Sequence, residues 1–150
     1  MVEPLVEFSL AEPLPLLNEW QRMHWAARKR RQRDIAWEVR ANVPTGLSPI
    51  ERCLIVVVRR NCPPLPDLDG LAGSAKPLLD CLVLPSRRNP NGLGIIVDDN
   101  PKCLGMLLML PRVRQSGQMG THVRIFRDDQ DSLDYLADQM RHHVYFTRGL

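Results

Sequence analysis

Apolar and polar residues alternate in part from Leu5 to Leu10, and the run stops at Pro13-Leu-Pro15. That pattern predicts an early β-strand closed by a Pro-rich turn. Asn18 then serves as an N-cap, and from Glu19 to about Asn42 neither Pro nor Gly interrupts a run of helix formers, which predicts one long helix. Its apolar residues make two partial stripes, Trp20, Met23 and Ala27 on one side and Trp25, Ala36 and Val39 on another, so the helix is expected to bend or to cross a partner. Beyond Pro44, Gly46 and Pro49, the β-branched run Cys53 to Arg60 reads as a strand, ended by Cys62-Pro-Pro-Leu-Pro66. Residues 67 to 84 read as a turn followed by a helix, and residues 85 to 94, with Pro85, Pro90, Asn91, Gly92 and Gly94, as a long connection. Two strands are expected at Gly94 to Val97 and Lys102 to Leu110, separated by the turn Asp98-Asp-Asn-Pro101. A Gly-containing loop from Gln115 to Gly120 leads to a last strand, Thr121 to Arg127, and Asp128 to Asp134 opens a terminal helix with acids near its positive end. No segment repeats. The irregular alternation gives an α+β fold class: one domain over residues 1 to 150, in two layers, with helices packed on a small mixed sheet.

Composition changes this picture little. A chain of 150 residues fits one domain, and 44% hydrophobic residues supply its core. Twenty basic against 17 acidic residues, net +3, exclude both a polybasic tail and an acidic disordered protein. The longest apolar runs, Cys53 to Val58 and Leu104 to Leu110, fall short of the roughly 18 residues a membrane span needs. Met1-Val2-Glu3-Pro4 has neither the basic start nor the apolar centre of a secretory signal, so the chain is expected to work in the cytoplasm. Cys53, Cys62, Cys81 and Cys103 lie 9, 19 and 22 positions apart, which matches no zinc or redox spacing and predicts buried free thiols. His24, His122, His142 and His143 form no metal-ligand pair and are expected to be solvated or hydrogen-bonded.

Two acidic features stand apart from core-building, Asp67-Leu-Asp69 and Asp98-Asp99. Carboxylates two positions apart in extended chain project to one side, and a second pair can meet them from a neighbouring turn. Such a cluster repels itself until a hard divalent cation with oxygen ligands compensates it. Each Asp has a plainer use as well, because Asp67 and Asp69 could cap a helix and Asp98-Asp-Asn-Pro is a good turn alone. Asp69, Lys76 and Asp80, spaced 7 and 4, share one face if the segment is a single helix. Pro77 instead favours a helix starting near Ser74 with the proline in its first turn.

The ordered set Asp67-Leu-Asp69-Gly-Leu, Lys76-Pro-Leu-Leu-Asp80-Cys-Leu82 and Gly94-Ile-Ile-Val-Asp98-Asp99-Asn-Pro-Lys102 resembles the RusA family of Holliday-junction resolvases, Mg²⁺-dependent endodeoxyribonucleases of bacteria and their phages. The likeness covers residues 67 to 102, and more loosely the early Pro-rich turn with Asn18 and the strand Val123 to Phe126. It implies a RusA-like fold and a cytoplasmic setting in a bacterial or phage-infected cell. It also implies metal-binding carboxylates at Asp67, Asp69 and Asp99, a catalytic Lys76, and Asp80 and Asp98 as supporting acids. Mg²⁺ is the implied cofactor, with Mn²⁺ as a substitute. The chain departs from the family pattern at Gly70, where Asn is usual, and in the seven-residue step from Asp69 to Lys76, where four is the compact spacing.

Phosphodiester hydrolysis needs an activated water, charge on the phosphate oxygens and help for the leaving 3′-oxygen, which carboxylate-bound Mg²⁺ provides. Lys76 would donate charge to the phosphate or leaving oxygen. DNA then has to be held by basic groups elsewhere: Arg22, Arg28, Lys29, Arg30, Arg31 and Arg33 in the first helix, with Arg59, Arg60, Arg87 and Arg88 bordering the acidic motif. An ordinary solvated helix face is the alternative use of the first group. Trp20 and Trp25 read first as core residues, with packing against a DNA junction as their other use. Four-way DNA is nearly two-fold symmetric, so paired nicks are most simply made by a homodimer, with Leu104 to Leu110 or the apolar side of the first helix as its surface. A DNA-binding or regulatory relative without cleavage, and an interaction protein whose Asp residues are only caps and turns, are the competing readings.

Overall fold

The computed structural model describes residues 1–60, 66–112 and 118–147. In chain order the elements are β1 (Val6–Leu10), α1 (Leu17–Arg22), α2 (Trp25–Asn42), β2 (Cys53–Arg60), α3 (Leu68–Gly73), α4 (Lys76–Leu82), β3 (Leu104–Arg112), β4 (Gly120–Arg127) and α5 (Gln130–Thr147). The strands form one sheet in the order β1-β4-β2-β3. β4 runs antiparallel to β1 and β2, whereas β3 runs parallel to β2. A parallel pair needs a long crossover, and α3, α4 and the chain after them supply it. The whole acidic motif therefore lies in that crossover, which leaves the C-terminal end of β2 through Asp67 and returns to its N-terminal end, where the Val97 N–H meets the Ile50 carbonyl.

β2 explains its own sequence. Ile55 and Val57 face a core with Phe8, Val123 and Ile125 of the sheet, Ile35 and Val39 of α2, and Leu78 and Leu82 of α4. Leu54, Val56 and Val58 face the other way, onto Phe126 and onto Leu136 of α5. A strand buried on both faces is apolar throughout rather than alternating, which is why Cys53 to Val58 is a continuous run. The domain is α+β with a four-stranded mixed sheet, as expected, but α5 adds a third layer over part of the second face where two layers were predicted.

Four local expectations are corrected. The long helix is two: Met23 is extended (φ −66°, ψ 137°) and ends α1, and the His24 side chain accepts the Ala26 N–H at 3.3 Å to start α2. The two apolar stripes thus belong partly to different helices. Asn18 lies inside α1; Leu16 stands at the N-cap, its N–H held by Glu19 Oε2 at 3.0 Å. Within 67–84 the expected turn is itself a short helix, α3, separated by Ser74 and Ala75 from the expected helix, α4, so Asp69 and Lys76 do not share one helix and Pro77 sits in the first turn of α4. Gly94 to Val97 makes no strand, only a single parallel bridge between Ile50 and Ile96. The Ile95 and Ile96 amides bond back to the Leu82 carbonyl, at 2.9 and 3.0 Å, instead of to a neighbouring strand.

The end of β2 at Cys62-Pro-Pro-Leu-Pro66 falls largely outside the described residues, as does the loop from Gln115 to Gly117. Cys53 and Cys81 are buried free thiols and Cys103 is half-buried and free; Cys62 lies outside the described residues. Burial pushes the Cys53 thiol up to about 11 and Cys81 to about 12, with Asp128 and Asp80 respectively adding to the effect. No helix among the described residues is long and apolar enough to cross a membrane.

Candidate functional site

Asp67 is the N-cap of α3, its Oδ1 accepting the Gly70 N–H at 3.2 Å. A Cβ on residue 70 would collide with that same oxygen, so the glycine both donates to the carboxylate and makes room for it. Asp69 is exposed in the first turn of α3. Lys76 opens α4 and pairs with Asp80 one turn later, Nζ to Oδ1 at 2.6 Å. This is the one-face relation predicted for that pair.

The second acidic turn is built by its own side chains. Asp98 accepts the Asp99 N–H at 2.8 Å and the Asn100 amide at 2.6 Å, and these bonds hold its carboxyl below the ordinary carboxylate value. Asn100 Oδ1 takes the Lys102 and Cys103 N–H groups at 2.9 and 3.2 Å. The turn is anchored beside β2 through Ile50, which accepts the Val97 N–H at 3.0 Å. Asp98 is thus occupied in shaping the turn, and Asp99 beside it is exposed. Burial and the neighbouring Asp98 push Asp99 up, and the Lys76 ammonium pulls it down, so α4 and this turn share one electrostatic neighbourhood.

Next to that neighbourhood opens a cleft of about 900 Å³ lined by Trp25, Lys29, Arg30 and Arg33 of α2, Lys76 and Asp80 of α4, and Arg87 and Arg88 of the following connection. The connection is held in place by α4: Asn89 Nδ2 donates to the Asp80 carbonyl at 2.5 Å, and the Leu93 N–H to the Cys81 carbonyl at 2.8 Å. Three separate segments therefore converge their cations around one acid, Asp80. Trp25 is 59% exposed at the cleft rather than in the core, and Lys29 Nζ lies 5.3 Å from its ring centroid. Trp20 is half-buried.

The other candidate cations have different positions. Arg59 donates to the Leu14 carbonyl, and Arg31 pairs with Glu12 at 3.2 Å and donates to the Pro13 carbonyl at 3.4 Å. Both fasten the Pro-rich connection between β1 and α1 to the body of the domain, a structural use that the count of basic residues did not anticipate. Arg60 lies near His122, and Arg22 and Arg28 are not among the cleft-lining residues.

The donor chemistry of Asp67, Asp69 and Asp99 suits a hard divalent cation; Asp99 itself is held up by burial first and then by its neighbour Asp98. Among the described residues, no three Asp, Glu, His or Cys side chains gather into a group able to hold an ion. Carboxylates repel one another until a cation lies between them. Compared with protein-family models, with curated proteins and with solved structures, the chain matches none.

Proposed function

We propose that the chain is a RusA-like, Mg²⁺-dependent endonuclease that resolves Holliday junctions by paired symmetric nicks in four-way DNA. The observation that carries this reading is the position of Lys76. It lines the cationic cleft, pairs with Asp80 and acts on Asp99, so phosphate-holding and acidic groups adjoin at one side chain. In this reading Arg30, Arg33, Arg87 and Arg88 hold the backbone, and Lys76 turns its ammonium from Asp80 to the scissile phosphate or leaving oxygen. Asp67, Asp69 and Asp99 would hold the metal, which when bound, as Mg²⁺ or in its place Mn²⁺, supplies charge to the phosphate oxygens and acidifies the attacking water. Two equivalent sites come from a homodimer.

A second reading, a DNA-binding or regulatory relative without cleavage, is favoured by a specific observation. Asp67 and Asp98 already serve as cap and turn, which gives both a use without metal. Synthetic four-way DNA with Mg²⁺ separates the two. Symmetric nicks by wild type, with Asp99→Asn binding the junction but leaving it intact, support the nuclease; a salt-sensitive mobility shift with no nick from either protein supports the binding module.

A further inference from the structure

α2 carries more than its half of the cleft. Trp37 is 67% exposed and Trp25 59%, unusual for the largest apolar side chain on a helix whose inner face is already buried through Ile35, Ala36 and Val39. At roughly 100° per residue, Trp25, Lys29, Arg30, Arg33, Trp37 and Arg40 all fall within an arc of about 140°, which is outward-facing except near its Trp25 edge, where Ala36 turns into the core. The acids of the helix lie beyond that arc. Asp34 is at its margin, and Glu38 is engaged on the far side by the Ala11 N–H. Trp25 and Trp37 are twelve positions apart, about 18 Å along the axis, and of the five cations between them Lys29, Arg30 and Arg33 share the arc. Trp25, only about 20° from the buried Ala36, stands where this arc meets the cleft beside α4, and Trp37 lies about 120° further round the helix; both stay exposed, so core formation explains neither tryptophan's exposure.

We infer that this outer face of α2 is a binding strip for single-stranded DNA, in which Trp25 and Trp37 stack on unpaired bases while Lys29, Arg30, Arg33 and Arg40 hold the phosphates between and beyond them. An aromatic plane beside a cation is the arrangement a stacked nucleotide and its own phosphate call for, and it is indifferent to base identity. Lys29 over the Trp25 ring supplies that pairing on a single helical turn. A paired duplex offers its bases to neither indole, so the strip favours strands that a branch point has opened. The inference rests on the proposed DNA substrate and narrows it to junctions with unpaired nucleotides at the cleft.

The test is anisotropy of a labelled dT oligonucleotide of about 12 nucleotides, and of a duplex of equal length, against wild type, Trp25→Ala, Trp37→Ala and both Trp→Phe variants. Each Ala variant is expected to bind dT at least about 5-fold more weakly and to lose clearly less on the duplex, and each Phe variant to recover most of the dT loss. Unchanged dT binding by both Ala variants, equal losses on duplex and single strand, no dT binding by wild type at low salt, or a preference for oligo-U over dT would each overturn it. A change in oligomeric state without a change in dT affinity overturns it as well, by assigning the strip to a second copy. Nicking of four-way DNA is read on the same preparations. Wild type that binds dT through its tryptophans but never nicks keeps the strip and removes the nuclease, and wild type that nicks with tryptophan-independent dT binding does the reverse.

Discussion

Lys76 separates stability from chemistry at a single position. Its pair with Asp80 is solvent-exposed on the lysine side, so losing it costs at most about 1 kcal/mol. Lys76→Met is therefore expected to keep the urea midpoint of wild type nearly unchanged while nicking falls by roughly two orders of magnitude; full cleavage by the variant would remove the lysine from the mechanism. Gly70 makes room for the cap: a side chain there would displace the Asp67 carboxylate. Gly70→Ala gains about 1 kcal/mol of helix propensity and forfeits a cap interaction of similar size, so the fold is expected to be nearly as stable. A fall in nicking without a fall in stability would locate the effect at the moved carboxylate. His122 contributes a pH dependence just below neutrality. Its ring bonds to Ser9 Oγ at 2.9 Å and Glu7 Oε1 at 2.8 Å, and burial first, then Arg60 and Arg124, holds it below the ordinary 6.5 despite the opposing pull of Glu7. The unfolded chain then binds the proton more readily, so the contribution is complete above 6.5 and is lost as pH falls through the lowered folded value. Urea midpoints across that range should decline toward acid for wild type and decline less for His122→Gln.

At the scale of elements, the crossover is the part that has to stay packed for any site to exist. Leu78 is fully buried between α4 and the sheet, so Leu78→Ala is expected to cost roughly 2–5 kcal/mol in denaturant unfolding, with the cleft lost along with it. Elements whose burial is simple were legible in the sequence: β2 matches its β-branched run from Cys53 to Arg60, and β1 and β4 each differ by a residue from the strands expected at Leu5 to Leu10 and Thr121 to Arg127. What escaped was set by local hydrogen bonds that the periodicity of side chains does not record. The break between α1 and α2 contains neither Pro nor Gly and depends on His24 capping Ala26, a bond no periodicity records. Residues 94 to 97 have a strand's composition but lie against the end of α4, where the Leu82 carbonyl takes two of their amides. For the site, the acids and Lys76 were visible as a spaced motif. The cleft was visible only as unconnected basic residues, because Arg87 and Arg88 reach α2 through the Asn89–Asp80 bond and not through sequence.

On the whole molecule, the sheet ends in β3, a nine-residue edge strand whose Met106 to Leu110 segment is half-buried at best. An apolar edge of that length is a template for another strand, and β3 of a second copy, paired antiparallel about a two-fold axis, would cover it and set two sites symmetrically. Sedimentation velocity is expected to give a dimer for wild type and a monomer with unchanged far-UV circular dichroism for Leu108→Lys. A dimer that survives the lysine would move the interface elsewhere.

Charge distinguishes the two kinds of arginine in this chain, and salt measures the difference. The cleft sets six cations, Lys29, Arg30, Arg33, Lys76, Arg87 and Arg88, against the single acid Asp80. If each neutralises one phosphate, the affinity for duplex arms should fall with a log–log salt slope of about −5, and the double change Arg87→Gln, Arg88→Gln should reduce its magnitude by about 2. Arg59 and Arg31 spend their donors on the Leu14 and Pro13 carbonyls, so Arg59→Gln and Arg31→Gln are expected to leave the slope as it is. Their effect belongs to folding instead: the Pro-rich connection loses a fastening to the domain, and each variant should unfold at lower urea. Net charge falls by one with every one of these arginine substitutions, so a slope that followed net charge alone would drop equally for Arg31, Arg59, Arg87 and Arg88. Only a cleft that meets the phosphates directly divides them into two pairs.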